Sequence, residues 1–145
     1  MISELDKVGL VYDNLSDKEK EFFRKYIWNG VGSRSYFLNP PELIFHKCSL
    51  YHDFYYWRGG PDYLRPLADK DFFHRCHDQI KKQPYYSRIF YYPASYVYYV
   101  FLKMLGKVAW EYAEKPCNTF QELLDRVYFY YDNNPKVAGR PPKYM

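Results

Sequence analysis

Apolar positions along this chain recur at helical rather than alternating spacing. Tyr98, Phe101, Leu102, Leu105, Val108, Ala109 and Tyr112 stand at i, i+3, i+4, i+7, i+10, i+11 and i+14, which is one face of an amphipathic helix. Phe120, Leu123, Leu124, Val127, Tyr128 and Tyr131 repeat the stripe behind Thr119-Phe120-Gln121-Glu122, which has the form of a capping box. Ser16-Asp17-Lys18-Glu19 has the same form ahead of Phe22, Phe23, Tyr26 and Ile27 and predicts a helix over 17–28, stopped by Asn29-Gly30.

Between these elements Pro and Gly divide the chain. Pro40-Pro41 suits the first turn of a second helix running to Arg58, which Gly59-Gly60-Pro61 ends. Pro66 suits the start of a third helix reaching Lys82. The short Gly-rich turn between the two makes them antiparallel neighbours. Pro84 and Pro93 predict a short helical piece and a kink before the next long helix. No alternating pattern is long enough for a sheet, so the fold class is all-α. The expected organisation is one helical domain over 1–131 and a flexible tail over 132–145, where three prolines and a glycine accompany little apolar content.

Composition narrows the function classes. The chain has 145 residues, the size of one domain, and 23% of them are aromatic, which excludes disorder as a global description. With 21 Lys+Arg against 17 Asp+Glu the charge is mixed, which is no footprint for a nucleic-acid partner. The uncharged run from Ile89 to Leu102 contains Pro93 and five tyrosines between 91 and 99, too short and polar to form a transmembrane segment. Glu4 and Asp6 precede any apolar stretch, so the N-terminus does not read as a secretory signal. Cys48, Cys76 and Cys117 are too few for a disulfide framework. The expected location is the cytoplasm, or outside the cell by a route without a recognisable signal peptide. The tyrosine-rich stripe from Tyr91 to Tyr112 reads most simply as core with hydroxyls reaching the rim, and alternatively as an interfacial surface giving peripheral membrane contact. The oligomeric state is open.

Candidate chemistry lies on the second and third helices. Cys48, His52 and Tyr56 are spaced i, i+4, i+8 and share a face, while Asp53 is turned about 100° away. Asp69, Phe72, Phe73 and Cys76 form one face of the third helix. Opposed antiparallel faces let the Asp69 carboxylate meet the His52 imidazole in an aromatic core, the arrangement of a general base. Asp53 is left for a cation. Upstream, Trp28-Asn29-Gly30-Val31-Gly32-Ser33 is a loop whose spaced glycines let carbonyls turn inward, and carbonyls with a carboxylate suit Ca²⁺.

With these residues the chain resembles the phospholipase A2 superfamily, marked by a glycine-rich calcium loop, then Cys-x-x-x-His-Asp-x-x-Tyr on one helix, then an Asp on its antiparallel partner. The resemblance spans residues 28 to 76. It implies a compact, disulfide-poor member in which an antiparallel helix pair is covered by further helices. It also implies calcium-dependent hydrolysis of the sn-2 ester of a phospholipid at a membrane surface. His52 would activate water, Asp69 would hold the ring, and Tyr56 would hydrogen-bond Asp69. Trp28, Gly30 and Gly32 carbonyls with Asp53 would bind Ca²⁺, and Cys48 would face Cys76. Ser33 stands where the family keeps another glycine. The 17-residue spacing from His52 to Asp69 is tight, with Asp71 as the nearby substitute if the shorter turn shifts Asp69.

The same residues admit other readings. His52 can be a satisfied core histidine, Trp28-Asn29-Gly30 a helix end, Asp69 a first-turn carboxylate, and Cys48 and Cys76 buried thiols rather than a disulfide. Cys48, His52, Cys76 and His77 can be considered as zinc ligands, although Cys76 and His77 diverge. A non-catalytic phospholipase A2-like binding or interaction protein is the alternative to the enzyme.

Overall fold

The computed structural model describes residues 4–28, 45, 48–110 and 115–145. Five α-helices dominate it: α1 (Asp17–Phe22), α2 (Ser49–Arg58), α3 (Leu64–Lys81), α4 (Tyr85–Ala109) and α5 (Phe120–Asp132). Two 3-10 turns, Glu4–Lys7 and Tyr12–Asn14, precede α1, and a π turn, Phe23–Ile27, extends it. Among the described residues there is no strand, and no helix is long and apolar enough to cross a membrane.

Of the two expected capping boxes, the one at α1 is formed in full. Ser16 Oγ accepts from the Glu19 backbone N–H at 3.1 Å, and Glu19 Oε1 accepts from the Ser16 N–H at 2.9 Å. At α5, Thr119 Oγ1 accepts from Glu122 N–H at 3.1 Å, but the Glu122 carboxylate reaches back one residue further, to Asn118 N–H at 2.8 Å. The expected continuation of the second helix back to Pro40 falls mostly outside the described residues; α2 is described from Ser49. α3 starts two residues before Pro66, after turn hydrogen bonds from Leu64 N to Pro61 O and Arg65 N to Asp62 O. Pro66 is tolerated there because first-turn N–H groups have no helical acceptor anyway.

α4 differs from the expectation of a short piece ahead of the next long helix, because it runs as one helix through Pro93. Proline removes one hydrogen bond, to the carbonyl four residues back. That residue, Ile89, lies on the solvent side at 80% exposure, where water can satisfy the carbonyl.

The α2–α3 pair is the centre of the molecule. Cys48 meets Cys76 and His52 meets Asp69, so early residues of α2 face late residues of α3 and the helices are antiparallel. α2 is buried nearly all round, with His52, Asp53, Phe54, Tyr55, Tyr56, Trp57 and Arg58 all sequestered. One apolar cluster joins its outer side to the N-terminal turns, α1 and α5 through Tyr12, Phe23, Phe54, Leu123 and Val127. A second joins α3 to α4 through Phe72, Cys76, Ile80, Tyr98 and Leu102, with Phe45 and Cys48 in it. The segment after α5, read from composition as a tail, has contacts that composition does not reveal. Tyr144 stacks edge-on to Phe22 and Phe120 at 5.0 and 5.3 Å, Tyr128 donates to the Pro142 carbonyl at 2.7 Å, and Arg140 pairs with Asp132 at 2.8 Å.

The N-terminal segment is stitched to the body by backbone. Leu10 N–H donates to Cys117 O at 2.7 Å, and Cys117 N–H donates to Arg58 O at 3.0 Å. Arg58, fully buried, donates through Nη1 to the carbonyls of Leu5 and Leu10. This close approach requires glycine at position 9, whose φ is +67° and whose Cβ position would lie 2.7 Å from Cys117 O. Gly9→Ala is therefore expected to destabilise the fold by about 2 kcal/mol, since both strain and a backbone clash act. Urea unfolding monitored by tryptophan fluorescence measures this, and an unchanged midpoint would contradict the stitching.

Candidate functional site

α2 and α3 carry the His52 and Asp69 side chains to the same height. His52 is six residues before the end of α2 and Asp69 five after the start of α3, roughly 9 Å and 7.5 Å of helix on either side of the turn. The short 17-residue separation therefore brings the groups together. His52 Nε2 lies 2.8 Å from Asp69 Oδ1, with both residues buried. Asp71, the substitute considered from sequence, is turned to Arg75, whose Nε donates to it at 2.8 Å.

Asp69 Oδ1 also accepts from the Tyr56 hydroxyl at 2.5 Å. Burial above all, then the Asp69 charge and this hydrogen bond, push the Tyr56 phenol well above its ordinary range, so it remains a donor at any physiological pH. The Tyr56 ring lies over the imidazole, with centroids 4.2 Å apart and planes 33° apart, and Phe72 flanks it at 5.3 Å. Trp110 packs edge-on against Tyr56 at 5.0 Å and donates its indole N–H to Gly60 O at 3.1 Å, tying the site to the interhelical turn. In the tautomer in which Nε2–H donates to the Asp69 carboxylate, Nδ1 is the nitrogen left to accept a proton.

Arg65 was not assigned a role from the sequence. Its Nη1 stands 3.7 Å from Asp69 Oδ2, which among the described residues has no hydrogen-bond partner. The i, i+4 spacing of Arg65 and Asp69 was the available signal. Asp53 is nearly buried beside His52, on another face of α2. Trp28 closes the π turn, and its indole N–H donates to Ser49 Oγ at 2.9 Å. Ser49 lies one helical turn before Asp53, so the first residue of the glycine loop is anchored on the side of α2 that carries the carboxylate. Gly30 and Gly32 lie outside the described residues.

The two cysteines face each other as the family resemblance implies, with Sγ atoms 2.8 Å apart, and both are free thiols. Burial, reinforced by Cys48, pushes the Cys76 thiol far up and keeps it protonated. The zinc alternative is not met: among the described residues no group of three His, Cys, Asp or Glu is placed to hold a metal, and His77 packs against Phe73 and Tyr92 instead. A calcium site of carbonyls and one carboxylate is a different donor set from that group.

The chain matches no protein-family model, no curated protein and no solved structure.

Beside the site, two further tyrosines tie α2 to carboxylates. Tyr51 donates to Asp13 at 2.7 Å and Tyr55 to Asp6 at 2.8 Å. Burial and then the Asp13 hydrogen bond push the Tyr51 phenol up to about 12, and burial with Asp6 pushes Tyr55 higher still. A phenol whose folded value is raised above its unfolded value of about 10 stabilises the fold below that pH. For Tyr51 this contribution is lost as pH rises from about 10 to about 12. Unfolding free energy is therefore expected to fall steeply with pH above 10, and Tyr51→Phe to flatten the fall. Urea titrations at a pH series test this; equal slopes in both proteins would refute it.

Proposed function

We propose that this protein hydrolyses the sn-2 ester of phospholipids with a water activated by His52, in a calcium-dependent reaction. The single observation that carries the reading is the buried His52 Nε2 to Asp69 Oδ1 contact of 2.8 Å across two antiparallel helices. Held this way, the ring offers Nδ1 to a water, takes one of its protons as the oxygen adds to the ester carbonyl, and returns the proton to the departing alkoxide. Asp69 orients the ring and stabilises the transient imidazolium, and Tyr56 fixes the Asp69 carboxylate. Phe72 and the Tyr56 ring pack against the imidazole, so it cannot reorient freely.

The donors fit a hard cation in type. Asp53 contributes a carboxylate and Trp28 a carbonyl, with Trp28 anchored at Ser49 one turn away on the same helix. Together with the Gly30 and Gly32 carbonyls they would hold Ca²⁺. When bound, the ion polarises the ester carbonyl and stabilises the oxyanion as a Lewis acid.

Fatty-acid release from mixed phospholipid and detergent micelles tests the proposal. Turnover is expected in the presence of Ca²⁺ and its loss on addition of a chelator. His52→Gln is expected to lower kcat about 10³-fold with the circular dichroism spectrum unchanged. Turnover indifferent to the chelator, or to His52→Gln, would overturn it.

A further inference from the structure

α4 presents two opposed faces. Tyr91, Ser95, Tyr98 and Leu102 turn inward toward α3. On the opposite side Tyr86, Ile89, Phe90, Val97, Val100 and Met104 form an unbroken exposed stripe, roughly 27 Å long at the helical rise. Ile89 is 80% and Met104 74% exposed, values ordinary for lysine but not for aliphatic side chains. Of the thirteen large hydrophobic residues exposed among those described, nine lie on this helix. A contiguous patch of this kind marks an interaction surface rather than scattered surface apolarity.

The charge of the segment that carries the stripe selects what it meets. From Gln79 to Trp110 there is no Asp or Glu, but there are Lys81, Lys82, Arg88, Lys103 and Lys107, a segment charge of +5. The whole chain carries +4, so the remainder sums to 4 − 5 = −1. The net positive charge of the protein is thus confined to the segment that exposes its apolar face. A second copy laid on the stripe would oppose cations to cations with no carboxylate from either helix to receive them. An anionic surface that is apolar beneath its charge answers both features, with tyrosines placed at headgroup depth and Ile, Val and Met below. α4 is not apolar enough to cross such a surface, so any contact with one is along its face.

We infer that the outer face of α4 docks on an anionic lipid bilayer. The inference rests on the surface alone and stands apart from the chemistry at His52. Phe129, exposed on α5 outside the segment, provides the control position.

The experiment is flotation of the full chain with vesicles of phosphatidylcholine alone or with phosphatidylglycerol, in chelator so that calcium plays no part. Binding is expected to the anionic vesicles, weakening as salt rises. Ile89→Ser and Met104→Ser are each expected to reduce partitioning about tenfold, Lys103→Glu to reduce it in low salt, and Phe129→Ser to leave it unchanged. Because the altered side chains are exposed, an unchanged circular dichroism spectrum verifies the fold. Absence of binding, equal binding to neutral vesicles, or insensitivity to the stripe variants would overturn the inference. So would sedimentation showing a dimer that Ile89→Ser dissolves, which would assign the stripe to a second copy. Turnover on a short-chain, monomeric ester without vesicle binding would remove the docking face and leave the proposed hydrolysis standing; vesicle binding with no turnover would do the reverse.

Discussion

The contact between the His52 ring and the Asp69 carboxylate constrains everything around it. A buried carboxylate is costly unless its oxygens find donors, and Asp69 is fully buried. It finds two donors on α2, the imidazole and the Tyr56 hydroxyl, and both converge on the same oxygen. The second oxygen looks to Arg65 at 3.7 Å, an ion-pair distance rather than a hydrogen bond. Sliding or rotating either helix would strand that charge, so the polar contact specifies the register of an interface otherwise made of adaptable aromatic rings.

The pair can be held this way only because α2 is wrapped on every side. The Tyr12, Phe23 and Phe54 rings pack edge to face on one flank, and Trp57 meets Tyr130 of α5 on another. The tyrosines of α2 serve this arrangement: their rings pack into the core while the hydroxyls reach carboxylates at the margin, as Tyr51 does with Asp13 and Tyr55 with Asp6. Arg58 completes the wrapping at the end of α2, where its carbonyl accepts from Cys117 and its guanidinium gathers two N-terminal carbonyls.

The sequence made α1, α5 and the His52, Tyr56 and Asp69 constellation legible through local rules: capping spacing, a one-sided stripe, and side chains one turn apart. It was less legible where the rule is tertiary. α2 shows little one-sided pattern because almost every residue on it is buried, so its helix had to be inferred from breakers at its end. Pro93 looked like a boundary, yet α4 continues through it because the affected carbonyl belongs to a residue facing water. The stripe read from Tyr98 onward does include the buried Tyr98 and Leu102. Its neighbours Tyr96, Val97 and Val100, equally apolar, point outward, and composition alone cannot separate two faces that are both hydrophobic. From sequence Arg65 reads by default as part of a solvated face, because nothing in the local pattern shows the burial of Asp69.

That two-faced helix also bears on how the small fold remains stable. A helix apolar all round is ordinarily enclosed, and enclosing α4 would require another layer of chain. Instead α3 covers one side, through Phe72, Cys76 and Ile80, and among the described residues those on the other side are exposed. Exposed apolar surface of that size favours self-association unless something opposes it. The cations from Lys81 to Lys107, unrelieved by any carboxylate in their segment, do so by like-charge repulsion between copies. The same charges that make a second copy a poor cover are attractive to an anionic one, so a single feature of the sequence, the segregation of acidic residues away from α4, both protects the open face and directs it.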